Sequence, residues 1–187
     1  MGTMEEYGAV LDFLPYGKST DTRREPLAQI IGVTYFTLLD VVPKPDISLS
    51  QGEQIYIGKN EREKIDHIRS RISFSDLTSS ARSSLKLTIT SIITSREPEF
   101  INFFNKCGPI TIRLHQLELF PGIGKKHMRS IMSEREKKPF ESFSDISKRV
   151  ALLPKPVNII VERIEQELKG ESKYYILTRP PQRENPK

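Results

Sequence analysis

Cysteine is nearly absent from this chain of 187 residues. Cys107 stands alone, which excludes an intramolecular disulfide and any zinc site built on several thiolates, and makes a reducing compartment the expected one. Long apolar runs are missing as well. No stretch approaches the roughly 18 apolar residues of a membrane span, and the first residues lack the apolar segment of a secretion signal. The cytoplasm is the expected location. Apolar residues make up 36% of the chain, too few for one large core, so two modest cores are expected.

The signatures of catalysis are also scarce. No G-x-x-x-x-G-K-[ST] loop occurs, because residues 122–126 are too short for one. A metal-dependent nuclease needs clustered carboxylates, whereas acids here alternate with bases, as in Glu61-Arg62-Glu63-Lys64 and Glu134-Arg135-Glu136, the pattern of a solvated face. His67, His115 and His127 are scattered, and Asp66 and His67, adjacent on a strand, are expected on opposite faces. Cys107 follows a phenylalanine-rich segment and reads as packed. No catalytic residue, metal or cofactor is expected.

What is present is positive charge. The formal net charge is +5 and the isoelectric point near 9.3, which points to an anionic partner such as nucleic acid. Residues 114–132, L-H-Q-L-E-L-F-P-G-I-G-K-K-H-M-R-S-I-M, concentrate that chemistry. Leu114 and Leu117 precede the turn Pro121-Gly122-Ile123-Gly124, and Met128, Ile131 and Met132 follow at helical spacing, so a helix, a glycine turn and a second helix are expected. Gly122 and Gly124 can adopt positive φ and admit a ligand closely, while Ile123 plugs back between the helices. The free amides of the turn adjoin a helix N-terminus, which favours an anion. Lys125, Lys126 and Arg129 lie where the helix dipole disfavours cations, a placement that suits a phosphate partner.

Residues 143–164 repeat this layout as helix, proline turn and helix. The second turn lacks glycine, and Pro154 and Pro156 remove two amide donors, leaving Lys155 as its phosphate contact.

Strands are expected at 7–14, at 30–42 with Gly32 as a bulge, at 54–58, at 64–73 and at 173–178. Together they suggest an OB-like barrel completed by the C-terminal strand. Helical periodicity runs from Leu85 to about Ser95, and Ser95 is placed to cap a short helix through Glu97 and Pro98 that buries Phe100, Ile101, Phe103 and Phe104. The expected fold class is therefore α+β: an OB-like barrel over 1–73, linking helices over 74–109, a tandem helix-hairpin-helix domain over 110–170 with a degenerate second hairpin, a barrel-completing strand over 171–178 and a flexible tail over 179–187.

Several strings together resemble an archaeal family: L-P-Y-G from Leu14, A-Q-I-I-G from Ala28, F-T-L-L-D-V-V-P-K from Phe36, Y-I-G-K from Tyr56, K-I-D-H from Lys64, R-I-S-F-S-D-L-T from Arg71, the run from Leu114, and K-Y-Y from Lys173. The chain is similar over nearly its whole length to domain-of-unknown-function family 655, described as predicted nucleic-acid-binding proteins that combine an OB-fold with helix-hairpin-helix elements. The resemblance implies that architecture, a binding role and an archaeal source, and carries no catalytic activity.

The functional expectation is a non-catalytic protein that grips the phosphate backbone of DNA or structured RNA with limited sequence specificity. Its expected contacts are Gly122, Ile123, Gly124, Lys125, Lys126, Arg129 and Lys155, with Arg23, Arg24, Arg69 and Arg71 on the barrel. Lys18, Lys59 and Arg62 are secondary barrel contacts, and Tyr35 or Tyr56 could stack a base. The alternative is an assembly module that docks onto a ribonucleoprotein or transcription complex.

Overall fold

The apolar residues of 7–14 form β1 (Tyr7–Leu14), but the run at 30–42 folds into two strands rather than one. These are β2 (Leu27–Gly32) and β3 (Leu38–Pro43), joined by a turn in which Phe36 takes φ +55°. The agent of the split lies far off in sequence. Glu5, 5% exposed, accepts N–H bonds from Thr34 (2.9 Å), Tyr35 (3.0 Å) and Thr37 (3.1 Å) with its carboxylate. Those amides would otherwise be stranded in the turn. Gly32 is not a bulge: a Cβ there would sit 2.0 Å from the Glu5 carboxyl carbon, so its bare backbone makes room for that side chain. The irregularity falls in β1 instead, between Val10 and Asp12.

With β4 (Gln54–Tyr56) and β5 (Ile65–Arg71) the strands pair in the order β4-β1-β2-β3-β5, each pair antiparallel. The protein is thus α+β, with a curled, five-stranded half-barrel sheet and five helices, in a computed structural model that describes residues 4–19 and 24–180. Val10, Ile30, Val41, Ile55 and Ile65 pack on one face of the sheet.

Polar groups on the strands hold the helix that follows. Gln29 Nε2 donates to Asp40 Oδ1 (3.1 Å) and to the Asp76 carbonyl (3.0 Å), and Gln29 Oε1 accepts the Thr78 N–H (2.8 Å). Lys18 Nζ closes on Asp40 at 2.6 Å. The Thr78 hydroxyl donates to Asp12 (2.6 Å) and accepts from Ala81 N (3.0 Å), anchoring the start of α1 (Ser79–Ser95). That helix opens earlier than its apolar periodicity suggests, because Thr78 supplies the start signal.

Residues 173–178 make bends and no strand. Glu167, 1% exposed, takes the N–H groups of Ile176 (2.9 Å), Leu177 (3.1 Å) and Thr178 (2.7 Å), so a carboxylate satisfies the amides that a sheet partner was expected to bond. The fifth strand comes from the split run. The C-terminal segment still belongs with the sheet: among the described residues, those up to Thr88 and those from Glu167 on form one compact unit, and Ile89–Gln166 form another. The boundary therefore lies within α1, not at residue 73. Arg179 and Pro180, expected to be flexible, accept Arg71 Nη2 at their carbonyls (3.1 and 2.8 Å).

The second unit holds the end of α1, α2 (Glu97–Lys106), the hairpin β6 (Pro109–Thr111) and β7 (Leu114–His115), then α3 (Lys125–Lys137), α4 (Phe143–Arg149) and most of α5 (Pro156–Leu168). Phe103 and Phe104 pack against Phe120 with ring centroids 5.7 and 5.5 Å apart. Phe100, Ile101 and Phe104 are buried while Phe103 is half-buried. Arg96, not Ser95, precedes α2, and the Ser95 hydroxyl donates back to the Ile92 carbonyl at 2.9 Å. Arg135, read as solvated, instead closes the end of α2 through Nη1 bonds to the carbonyls of Phe104 and Cys107, both 2.9 Å.

Candidate nucleic-acid interface

The first arm of the glycine hairpin is shorter than its leucine spacing suggests. After β7 the chain makes only a 3-10 turn, Gln116–Leu119, because His115 and Glu118 bracket it: Leu117 N donates to His115 Nδ1 (3.1 Å) and His115 N to Glu118 Oε1 (3.0 Å). Phe120 and Ile123 then turn inward, with Ile123 only 4% exposed, so the expected plug is in place. Its N–H donates to the Phe120 carbonyl at 3.0 Å.

The two glycines have different work. Gly122 takes φ +78°, the left-handed conformation that glycine adopts without strain. Gly124 precedes α3 at φ −89°, ψ −177°, ordinary extended backbone, and a Cβ on it would meet nothing within 4 Å. Its neighbourhood is open.

That opening exposes the start of α3. The first amide of this segment to find an acceptor is Met128 N, at 2.9 Å from the Gly124 carbonyl. Among the described residues, no acceptor takes the N–H groups of Gly124, Lys125, Lys126 or His127. His127 instead donates from Nδ1 to the Gly122 carbonyl at 3.1 Å. Lys125, Lys126 and Arg129 are exposed, and no acid stands in the first turn of α3. Farther along the helix the charges are neutralised: Glu134 binds Lys137 (2.6 Å) and Arg149 (3.4 Å). Undonated amides and unneutralised cations therefore coincide at one helix end.

The second copy touches the first. A Cβ on Gly122 would lie 3.1 Å from Cγ of Pro154, which places the proline turn against the glycine turn and brings the exposed Lys155 in as the next residue. Pro156 opens α5, and the Lys155 carbonyl receives Asn158 N (3.0 Å) and Ile159 N (3.3 Å).

The expected sheet contacts divide. Arg24 and Arg69 are exposed, and Arg23 lies outside the described residues. Arg71 is half-buried, and burial, followed by the nearby Arg179 charge, pulls its proton affinity below the ordinary arginine value. Lys18 is committed to Asp40, and Arg62 Nε donates to the Gly58 carbonyl at 2.9 Å. Lys59 is exposed. Tyr56 stacks edge-on against Tyr7 at 5.3 Å and its hydroxyl accepts Asn60 N at 3.2 Å, a structural duty rather than a base platform. Tyr35 is covered by the Arg179 guanidinium at 4.1 Å. Asp66 and His67, expected on opposite faces, meet at 2.7 Å. The ladder skips Asp66 between the pairs Val42↔His67 and Pro43↔Ile65, and that irregularity breaks the alternation. Sequence reading missed Pro154 as a neighbour of Gly122, and the nearest signal was the repeat itself, which sets the two turns in corresponding positions.

Fold and site together define a class: a half-barrel sheet combined with a helical unit that presents a basic glycine turn. The chain belongs to the family described as "Protein of unknown function (DUF655)", whose model matches residues 4–179. It is 45% identical over 177 residues to the uncharacterized protein MJ0038 of Methanocaldococcus jannaschii, an alignment covering 94% of this chain and 80% of that protein. Its fold matches the crystal structure of Af1531 from Archaeoglobus fulgidus with a TM-score of 0.87 and 44% identity, over 94% of this chain and all of that one. Both relatives are archaeal, as the resemblance implied. No described helix is long and apolar enough to cross a membrane.

Proposed function

We propose that the protein is a non-catalytic binder of nucleic acid, DNA or structured RNA, that holds the phosphate backbone at Gly122–Arg129 with limited sequence specificity. The observation that carries this reading is the coincidence at the start of α3. Among the described residues the amides of 124–127 lack acceptors, Lys125, Lys126 and Arg129 are exposed, and no acid stands in the first turn of α3. Phosphate oxygens satisfy both sets of donors at once, and backbone amides directed at phosphate read no bases. Lys155 adds a cation beside the same turn.

The test is fluorescence anisotropy of the wild type and the Lys125→Glu, Lys126→Glu variant against duplex DNA, single-stranded RNA and a structured RNA, across a salt series. The variant should bind more weakly by about 1–3 kcal/mol, the scale of lost charge-assisted hydrogen bonds, while circular dichroism shows it folded. If about four phosphates are neutralised, the log–log salt slope on duplex is about −3 to −4. Wild-type affinity in the variant, or binding that ignores salt, removes the hairpin as the grip.

A further inference from the structure

Among the described residues, Phe36, Asp46 and Leu152 hold positive φ without being glycine, and two of them have a visible reason. Phe36 (φ +55°) is 1% exposed, so core packing offsets its strain. Asp46 (φ +62°) is of a type whose short polar side chain tolerates the left-handed region. Leu152 has neither. It holds φ +61° while 88% exposed, so a bulky side chain accepts backbone strain and then buries almost nothing.

The repeat shows what this leucine replaces. The two turns correspond at a constant offset in sequence: Phe120 and Val150 are both buried, Gly122 and Leu152 are both left-handed, and Lys125 and Lys155 are both exposed. Ile123, buried, has the half-buried Leu153 as its counterpart. The second turn thus keeps a left-handed residue where the first has one, with leucine in the place of Gly122. Glycine or asparagine would meet that conformational need without strain. What leucine adds is an apolar prong facing water.

The neighbourhood of the prong narrows what it meets. Pro154, two residues on, lies against Gly122, so Leu152 stands on the turn that adjoins the start of α3, with Lys155 on the same turn. An apolar group gains nothing against phosphates. Beside a nucleic-acid backbone, the large apolar surfaces are the faces of the bases, and leucine is among the side chains that wedge between them from the minor groove. Unstacking costs least where a mismatch or an unpaired base has already weakened the step.

We infer that Leu152 is such a wedge: while the start of α3 holds the backbone, Leu152 enters a weakly stacked base step, and the preferred ligand is a duplex interrupted by a mismatch or a bulged nucleotide. This rests on the reading of Gly122–Arg129 as a phosphate grip and adds the base contact which that grip lacks. Lys155 neutralises a phosphate flanking the opened step. A wedge senses how firmly bases are stacked, not which bases they are, in keeping with limited sequence specificity. DNA and RNA duplexes share this chemistry.

Fluorescence anisotropy of the full chain tests it with continuous, mismatched and bulged duplexes, each made as DNA and as RNA. The wild type should bind an interrupted duplex at least about tenfold more tightly than the continuous one, and the nucleic acid with the larger ratio is the natural class. Leu152→Gly and Leu152→Asn should shrink that ratio to about threefold or less, bind continuous duplex within about twofold of the wild type, and melt no lower, because both relieve the backbone. Leu152→Met should keep the ratio. A 2-aminopurine beside the interruption should brighten on binding of the wild type and stay dim with Leu152→Gly. The wedge is overturned, and the grip left standing, if Leu152→Gly keeps the ratio or the wild type shows none while Lys125→Glu, Lys126→Glu still abolishes salt-dependent binding. Both readings fall if no nucleic acid binds. Self-association of the wild type in sedimentation velocity, lost in Leu152→Gly with no change in the ratio, also overturns the wedge and gives the leucine to a second copy of the chain.

Discussion

Gly122 and Pro154 meet across the two hairpin turns, with the absent Cβ of the glycine 3.1 Å from Cγ of the proline. Gly122 also holds φ +78°. Two penalties therefore combine in Gly122→Ala, one from backbone conformation and one from crowding, and the variant should lose about 1–3 kcal/mol in urea unfolding. Pro154→Ala should recover part of that loss, and the double-mutant cycle should show a coupling of about 0.5 kcal/mol or more. Strict additivity would mean that the two turns do not bear on each other.

Gly124 behaves differently. Its backbone is extended and its surroundings are empty, so Gly124→Val should fold with a loss of no more than about 1 kcal/mol, the difference between glycine and an aliphatic residue at a helix cap. If the proposed grip holds, its nucleic-acid affinity should fall at least about tenfold, because the added side chain would stand between phosphate and the amides of the turn. Unchanged affinity in a stable variant would place the ligand away from this turn.

Glu5 satisfies three amides of the β2–β3 turn. Glu5→Ala leaves those donors without acceptors and should cost about 2–4 kcal/mol, as unsatisfied buried groups do. Gly32→Ala should show a comparable loss by displacing the same carboxylate. Hydrogen exchange at Thr34, Tyr35 and Thr37 should accelerate in both variants, and protection as strong as in the wild type would refute the role given to Glu5.

His115 is 7% exposed, its Nδ1 accepts Leu117 N, and its Nε2 has no partner among the described residues. Burial, and secondarily the charge of Arg135, lowers its pKa below the ordinary 6.5. As pH falls through 6.5 the unfolded chain takes up the proton while the folded chain does not, so the unfolded state binds more protons and stability falls. The loss continues down to the lowered folded value and is absent above the ordinary one. His115→Asn keeps an acceptor for Leu117 N and should flatten this part of the stability–pH curve. An unchanged slope between wild type and variant would show that other groups set it.

The legible parts of the fold were those whose causes are local. Ile123 between two glycines and the periodicity of Met128, Ile131 and Met132 both act within a few residues, and each has its element in the structure. The misread parts were decided from a distance. Nothing within 30–42 announces the turn at 33–37, because the carboxylate that stabilises it belongs to Glu5, and nothing within 173–178 announces bends, because Glu167 satisfies their amides. The same holds at the sites. Lys125, Lys126 and Arg129 could be found from the helix start they share, whereas Gly122 and Pro154 come together only through tertiary structure.

The placement of Glu167 after the helical unit has a consequence for synthesis on the ribosome. Every strand of the sheet has been made once Arg71 emerges, but the segment from Glu167 on, which belongs to the same unit, is still to come. The roughly 95 residues between Arg71 and Glu167 take about 5–19 s to translate at ordinary speeds. For that interval the nascent chain carries a complete sheet without its C-terminal segment, and a message broken within the helical unit yields a product that never acquires it.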